Sequence, residues 1–325
     1  MGQSLSLHLE LPSEEDRHSS IDTFTDEDIY TAIDNRRTED AIGFRADKLL
    51  RRDAIVHPIS HDAVFKHVLD PEIFTMSYVA SHTSIPIPRV RRVLVPRSSA
   101  TLKFEKWVVM DRIEGEPLET AWPTMSWWSR IRIILYMRNY IRQLHSIPIP
   151  YPDKPGPFDG DGCLHRCWGL FFTTYGAGPF ESYKEMADWY DRRRFDAMVL
   201  HHQSTNRILQ CPKFDRTQSL VVCHMDLNMR NILIDRKGIP WVIDWEQAGA
   251  FPPWLEYAQA AIWFGPYVPA FRHVPLLWKW TTSFMFGSYG KYLHDYLYKI
   301  GDLIWCTDPH DYPLDYFSDI GIDVD

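Results

Sequence analysis

His224-Met225-Asp226-Leu227-Asn228-Met229-Arg230-Asn231-Ile232-Leu233, followed shortly by Trp241-Val242-Ile243-Asp244-Trp245-Glu246, is the stretch that decides how this chain is read. It sets one aspartate, an asparagine five residues later, and a second aspartate at the end of the next apolar run. Leu220-Val221-Val222-Cys223 is short, apolar and β-branched, which predicts a strand delivering the loop. Residues 231–234 and 239–243 predict two more strands, joined by the polar, glycine-ended turn Asp235-Arg236-Lys237-Gly238. A hairpin folds the chain back on itself and so brings Asp244 beside Asn231. Two oxygen ligands then face one cation, and magnesium takes one or two carboxylates together with phosphate and water oxygens. Asn231 and Asp244 are therefore the candidate metal ligands. Asp226 precedes the hairpin and is free to receive a hydroxyl proton, which makes it the candidate catalytic base. Phosphoryl transfer from a magnesium nucleotide requires this trio. A plain hairpin bearing surface acids is the competing reading, and the joint pattern within its apolar frame disfavours it.

The neighbours carry lesser expectations. His224 braces the loop rather than moving protons. Glu246 supports the metal loop from behind, or forms an external ion pair. Arg230 neutralises phosphate charge, or is a solvated arginine.

The spacing His-x-Asp-Leu-x-x-x-Asn reproduces the protein-kinase catalytic loop. Further segments resemble the aminoglycoside phosphotransferase (APH) family: Thr83-Ser84-Ile85-Pro86-Ile87-Pro88-Arg89-Val90, Val108-Val109-Met110-Asp111-Arg112-Ile113-Glu114-Gly115-Glu116-Pro117-Leu118, Gly178-Pro179-Phe180-Glu181-Ser182 and Ile243-Asp244-Trp245-Glu246-Gln247-Ala248-Gly249. The resemblance covers roughly residues 60–260, and its closest flavour is the functionally mixed set of fungal APH-like proteins. It implies an α+β, bilobal, protein-kinase-like fold with a small β-rich N-lobe and a larger, mainly helical C-lobe. It also implies ATP and Mg2+ as cofactors. Lys66, in Ala63-Val64-Phe65-Lys66, resembles the strand lysine that contacts phosphate, and Glu72 resembles its ion-pair partner. The hinge around Met110, Asp111 and Ile113 would receive adenine. The pattern departs from the family in three places. The connection from Lys66 to Glu72 is short, His57-Pro58-Ile59-Ser60-His61-Asp62 stands where a glycine-rich loop would be, and Met225 occupies a position that is often glycine.

The 325 residues suffice for one bilobal unit. An apolar content of 45% with 14% aromatics permits a sizeable core. A formal charge of −8 excludes nucleic acid as a principal partner and suits a cationic acceptor. Five cysteines without regular spacing predict reduced thiols. No apolar run is long enough to span a membrane, and the first residues lack the form of a signal peptide, so a cytoplasmic location is expected. Met1-Gly2-Gln3-Ser4-Leu5-Ser6 fits a myristoylation pattern at Gly2, but no polybasic stretch follows, so no stable membrane association is expected.

Three regions are expected: a polar extension over 1–40, the nucleotide-facing N-lobe over 41–111, and the C-lobe with catalytic loop and acceptor site over 112–325. Within the extension, Thr25 and Asp28 form a capping box for a helix at 26–33, which packs on a lobe or stays loose. In the N-lobe the pattern predicts strands at 53–59, 63–68, 90–95 and 104–110, and a helix from Pro71 capped by Asp70. In the C-lobe, Ser126 caps a helix burying Ile131, Leu135, Ile141 and Leu144, and Ser182 with Glu185 opens another burying Met186, Trp189 and Tyr190. Residues 147–175 form a long loop over the cleft, whose Cys163-Leu164-His165-Arg166-Cys167 lacks the second cluster a zinc site needs. Trp263, Phe264, Trp278, Trp280, Phe284 and Tyr289 are expected mainly in the core. The acidic end (Asp308, Asp311, Asp315, Asp319, Asp323, Asp325) is a solvated tail or a clamp for a cationic acceptor. Taken together, the residues point to an ATP-dependent phosphotransferase acting on a hydroxyl of a small molecule. The alternatives are a nucleotide-binding or scaffold protein with little turnover and, less favoured, a protein kinase.

Overall fold

The computed structural model describes residues 18–35, 56–97, 105–173, 175–262, 274–305 and 312–322. Residues 53–55 of the first expected strand, Gly2, Trp263, Phe264, Asp308, Asp311, Asp323 and Asp325 lie outside that set.

A small sheet and a larger helical body form the two lobes, the α+β arrangement expected from the sequence. The chain enters through a 3-10 turn, Ser20–Thr23, and helix α1, Asp26–Asp34, whose N-terminus carries the Thr25/Asp28 capping box. Four antiparallel strands follow in the order β1-β2-β4-β3: β1 His57–Pro58, β2 Ala63–Leu69, β3 Val90–Leu94 and β4 Glu105–Asp111. Helix α2, Asp70–His82, leaves β2 directly. Leu69 is its N-cap, with no side-chain cap, so Asp70 lies inside the first turn instead of capping it. Ile21, Ile29 and Ile33 pack with Phe65, Leu94 and Val109 on one face of the sheet, so the helix of the N-terminal segment packs on a lobe. The opposite face, through Val64, Val68 and Val108, joins the main core.

Past the hinge, β5 (Gly115–Pro117) runs beside β7 (Ile232–Asp235), which pairs with β8 (Pro240–Val242). A Cβ at residue 115 would stand 2.9 Å from the Ile234 carbonyl oxygen, so glycine is required for this approach. After short helix α3, Leu118–Ala121, comes the long α4, Trp127–Ser146, which is capped by Ser126. Its buried side chains are Ile133, Ile134, Met137, Tyr140, Ile141 and Leu144, while Leu135 is exposed. Ile141 and Leu144 lie on the expected face, but Leu135 falls on the opposite one. Apolar residues occupy both sides of this helix, and the sequence pattern alone does not fix which side meets the core. Helix α5, Tyr183–Thr205, accepts the Ser182 cap and buries Met186 and Tyr190. The loop between them packs on α2, with the Phe158 ring 6.0 Å from Phe74 and 6.1 Å from Tyr78.

Strands β6 (Val221–Cys223) and β9 (Gly249–Phe251) pair, and α6 (Pro253–Ile262) follows. Helices α7 (Leu276–Phe286), α8 (Gly290–Tyr292), α9 (Tyr298–Trp305) and α10 (Tyr316–Asp319) complete the lobe, with a π turn at Leu293–Leu297 between α8 and α9. Trp278 is core as expected, whereas Trp280 and Phe284 are exposed. Helix α10 brings Asp315 and Asp319 near α5, where Phe317 packs against Phe195. Among the described residues, no helix is long and apolar enough to cross a membrane.

Candidate active site

The hairpin forms with the expected register: Ile232 opposite Val242, and Leu233 opposite Trp241. One step before it, the Ile243 N–H donates to the Asn231 carbonyl at 3.0 Å, so Asp244 leaves β8 beside Asn231. Asn231 itself ends a short 3-10 turn, Met229–Asn231, rather than starting the strand. The Asp226 carboxylate is gripped from two sides. Asn231 Nδ2 donates to Oδ2 at 2.8 Å and Asn228 Nδ2 donates to Oδ1 at 3.1 Å. Asn228 also caps the turn by accepting from the Arg230 N–H at 2.9 Å.

Lys66 and Glu72 come together despite their short connection. Strand β2 aims Lys66 inward, and α2 starts at once, which puts Glu72 in its first turn. Lys66 Nζ lies 2.9 Å from Glu72 Oε1, 2.5 Å from Asp244 Oδ1 and 3.9 Å from Glu246 Oε2. Both Lys66 and Glu72 are 4% exposed. Burial opposes the charge on Lys66, but Glu72, Asp244 and Glu246 outweigh it and raise its pKa. Burial likewise raises Asp244, and the adjacent Lys66 ammonium reverses this to hold the carboxyl below its usual value. At Asp226 the Arg230 charge and the Asn231 hydrogen bond offset burial only in part. Burial, helped by the nearby Asp244 charge, pushes its carboxyl up to about 7.

His224 braces the loop, as expected. Its ring Nδ1 accepts from the Asp226 N–H at 3.2 Å, so Nε2 carries the proton and donates to the Ile243 carbonyl at 3.0 Å. Burial lowers its pKa and keeps the ring neutral. Met225 has φ 62°, in the left-handed region that glycine favours. This backbone conformation costs a side-chain-bearing residue about 1–2 kcal/mol, and burying the Met225 side chain, 2% exposed, offsets that by a similar amount. Asp244 is also left-handed, at φ 69°, the kind of strain that collects at functional sites.

The hinge residues serve different ends. Met110 is buried and paired with Val64 and Val90. The Asp111 carboxylate holds Arg91 Nε at 2.5 Å, and its N–H donates to Arg89. Ile113 accepts from the Gly115 N–H at 2.9 Å, and among the described residues its own N–H has no acceptor. In place of a glycine-rich loop, the β1–β2 turn closes through Asp62. Its carboxylate takes hydrogen bonds from the Ser20 N–H at 2.9 Å and the Ser60 hydroxyl at 2.7 Å.

Two contributors escape the sequence reading. Glu256 on α6 accepts from the His224 N–H at 2.7 Å and pairs with His145 Nε2 of α4 at 2.6 Å. It is 1% exposed, and the one acid in the largely apolar Pro253–Ile262 run is the signal that could have found it. Pro86 is the other: its carbonyl accepts from the Val242 N–H at 2.9 Å, tying the Pro-rich segment to the hairpin. No sequence signal marks that role. Glu256→Ala should strip the acceptor from a buried N–H and from His145, lowering stability by about 3 kcal/mol. Glu256→Gln, which keeps an acceptor for His224, should avoid most of that loss. Denaturant melts test this, and equal midpoints for wild type and Glu256→Ala would sink it.

The donor set suits a divalent cation. Four carboxylates (Glu72, Asp226, Asp244, Glu246) surround two cations, Lys66 and Arg230, so negative charge is in surplus. Among the described residues, Asn231 Oδ1 and Asp244 Oδ2 make no hydrogen bond.

A thermostable mutant of aminoglycoside phosphotransferase APH(4)-Ia, in apo form, is 17% identical with a TM-score of 0.49, covering 85% of this chain and 89% of that one. The ADP-bound aminoglycoside phosphotransferase APH(2'')-Ib is 14% identical with a TM-score of 0.43, covering 72% and 75%. The streptomycin-ATP-APH(2")-IIa ternary complex is 13% identical with a TM-score of 0.40, also covering 72% and 75%. No curated protein matches the sequence. The model of the phosphotransferase enzyme family (APH) matches residues 44–274, and the chain that assembles Lys66, Glu72, Asp226, Asn231 and Asp244 at one point belongs to that family.

Proposed function

We propose that this chain transfers the γ-phosphate of ATP to a hydroxyl group of a small molecule. The observation that carries the reading is the convergence of Lys66, Glu72, Asp226, Asn231 and Asp244 from separate strands, helices and loops. Asp226 takes the acceptor's hydroxyl proton as its oxygen bonds to the terminal phosphorus and the bond to the bridging oxygen breaks. Asn228 and Asn231 hold the Asp226 carboxylate in place for that step. Asn231 Oδ1 and Asp244 would hold magnesium, which, when bound, neutralises charge on the phosphates. Lys66 exchanges Asp244 for phosphate oxygens while Glu72 keeps it oriented. The hinge backbone around Met110, Asp111 and Ile113 would receive adenine, with the Ile113 N–H as its donor. The acid surplus favours an acceptor that carries or lies near positive charge. An intact Lys66–Glu72 pair weighs against a nucleotide-binding protein without turnover.

Magnesium-ATP at one hundred times its dissociation constant should stabilise the protein by about 2.7 kcal/mol, and Lys66→Ala should weaken that effect. Calorimetry with the folded chain, paired with ATP-consumption assays across a panel of hydroxyl-bearing metabolites, tests the reading. No nucleotide binding would overturn it. Unchanged affinity and turnover in Lys66→Ala would instead remove Lys66 from the site.

A further inference from the structure

The N-terminal turn Ser20–Thr23 and helix α1 lie ahead of residues 44–274, the part of the chain that the family model matches. Ile21, Ile29 and Ile33 are fully buried against the sheet and hold this segment in place. Apolar burial gives no reason for the polar contacts at its start. The Ser20 N–H donates to Asp62 Oδ2 at 2.9 Å, and the Ser20 hydroxyl donates to Asp62 Oδ1. Ser60, from the β1–β2 turn itself, adds its hydroxyl at 2.7 Å. Burial disfavours a charge on Asp62, but these donors outweigh it and hold the carboxyl well below the usual carboxylate range. Asp22, in the same N-terminal turn, pairs with Arg91 Nη1 at 3.2 Å, while Arg91 Nε donates to Asp111 Oδ1 at 2.5 Å. The Arg91 side chain is 8% exposed, so its planar guanidinium bridges the two acids in a fixed orientation.

Both sets of contacts end on the hinge. Ala63 lies opposite Asp111 in the sheet, which sets the β1–β2 turn at the hinge end of β2. There the Asp62 carbonyl accepts from the Arg112 N–H at 2.8 Å, and the Arg89 carbonyl accepts from the Asp111 N–H at 3.0 Å. Two successive hinge donors are thereby used. The next one, the Ile113 N–H, has no acceptor among the described residues. Asp62 is thus held by the N-terminal turn through its carboxylate and holds the hinge through its carbonyl. A displacement of Asp62 or Arg91 would alter which hinge N–H is left over and where it points. A donor fixed before the ligand arrives spares binding the cost of ordering it.

We propose, on the reading that the chain binds ATP, that the N-terminal turn completes the adenine site without touching the base. Ser20 acts through Asp62, and Asp22 acts through Arg91. All four are positioning residues that keep the Ile113 N–H free and correctly placed.

The test measures, by calorimetry on the full chain well below its melting temperature, the dissociation constants of two ligands. One is magnesium-ATP; the other is magnesium tripolyphosphate, which presents the phosphates without the base. Ser20→Ala and Arg91→Gln should each weaken ATP about fivefold, part of what a hydrogen bond to a charged group contributes, and leave tripolyphosphate at its wild-type value. Ser20→Thr, which keeps the hydroxyl, should restore ATP affinity. A strap that only stabilises the fold would instead lower the melting temperature and leave both affinities of the folded protein unchanged. Unchanged ATP affinity in either Ser20→Ala or Arg91→Gln would overturn the proposal. So would equal weakening of ATP and tripolyphosphate, or a loss in Ser20→Thr as large as that in Ser20→Ala. A wild-type chain that binds no ATP is a separate result: it would remove the ATP reading itself, and the proposal with it, before any variant is compared.

Discussion

Asp226→Asn should lower turnover by about 10²- to 10⁴-fold, the usual range for losing a general base, with magnesium-ATP affinity nearly intact. It should also stabilise the metal-free protein. The Asp226 carboxyl is pushed up to about 7 by burial and the Asp244 charge, so the folded state holds its proton more tightly than the unfolded chain. Stability therefore falls as pH rises from about 4 to about 7, and the full penalty is present above that window. The gap corresponds to at most about 4 kcal/mol. Partial exposure of Asp226 and the loss of one amide hydrogen bond reduce the expected gain in Asp226→Asn to about 1–2 kcal/mol. Thermal melts of wild type and variant at pH 5 and pH 8 check this. Parallel pH dependence in the two proteins would show that Asp226 does not carry the burden.

Asp244→Asn should behave oppositely in two respects. It removes a charged candidate metal ligand, so turnover should drop by about 10²-fold or more, and nucleotide affinity should become dependent on added magnesium. It also takes from buried Lys66 its closest carboxylate, lowering stability by about 1.5–3 kcal/mol. The Asp244 carboxyl is held below its usual value, so the stability it contributes is present near neutral pH and is lost as pH falls through the acid range. Titrating nucleotide affinity against magnesium in both variants separates the roles. A magnesium defect in Asp226→Asn and none in Asp244→Asn would reverse the assignment.

The hairpin was legible in the chain because its signals are local. The apolar runs, the Asp-Arg-Lys-Gly turn and the five-residue step from Asp226 to Asn231 all act within one supersecondary unit, and the register that sets Asp244 beside Asn231 follows from them. Caps at Thr25, Ser126 and Ser182 were readable for the same reason: a side chain two or three residues away satisfies a free N–H. Asp70 misled because a strand can pass straight into a helix without a side-chain cap. The pairing of Lys66 with Glu72 was suggested by resemblance, but its contact with Asp244, 178 residues away, exists only because the sheet and hairpin face each other across the lobes.

By itself the sequence determined the two-lobed α+β character, the hairpin after Asp226, and which residues are candidates for phosphate chemistry. Only the tertiary structure decided which face of α4 is buried, that Glu256 and His145 brace the loop, that Pro86 ties the N-lobe to the hairpin, and that burial raises the Asp226 carboxyl above its ordinary value. Each of these depends on desolvation or on contacts between residues far apart in the chain. Neither is encoded in local spacing, since burial is a property of what the rest of the molecule places around a group.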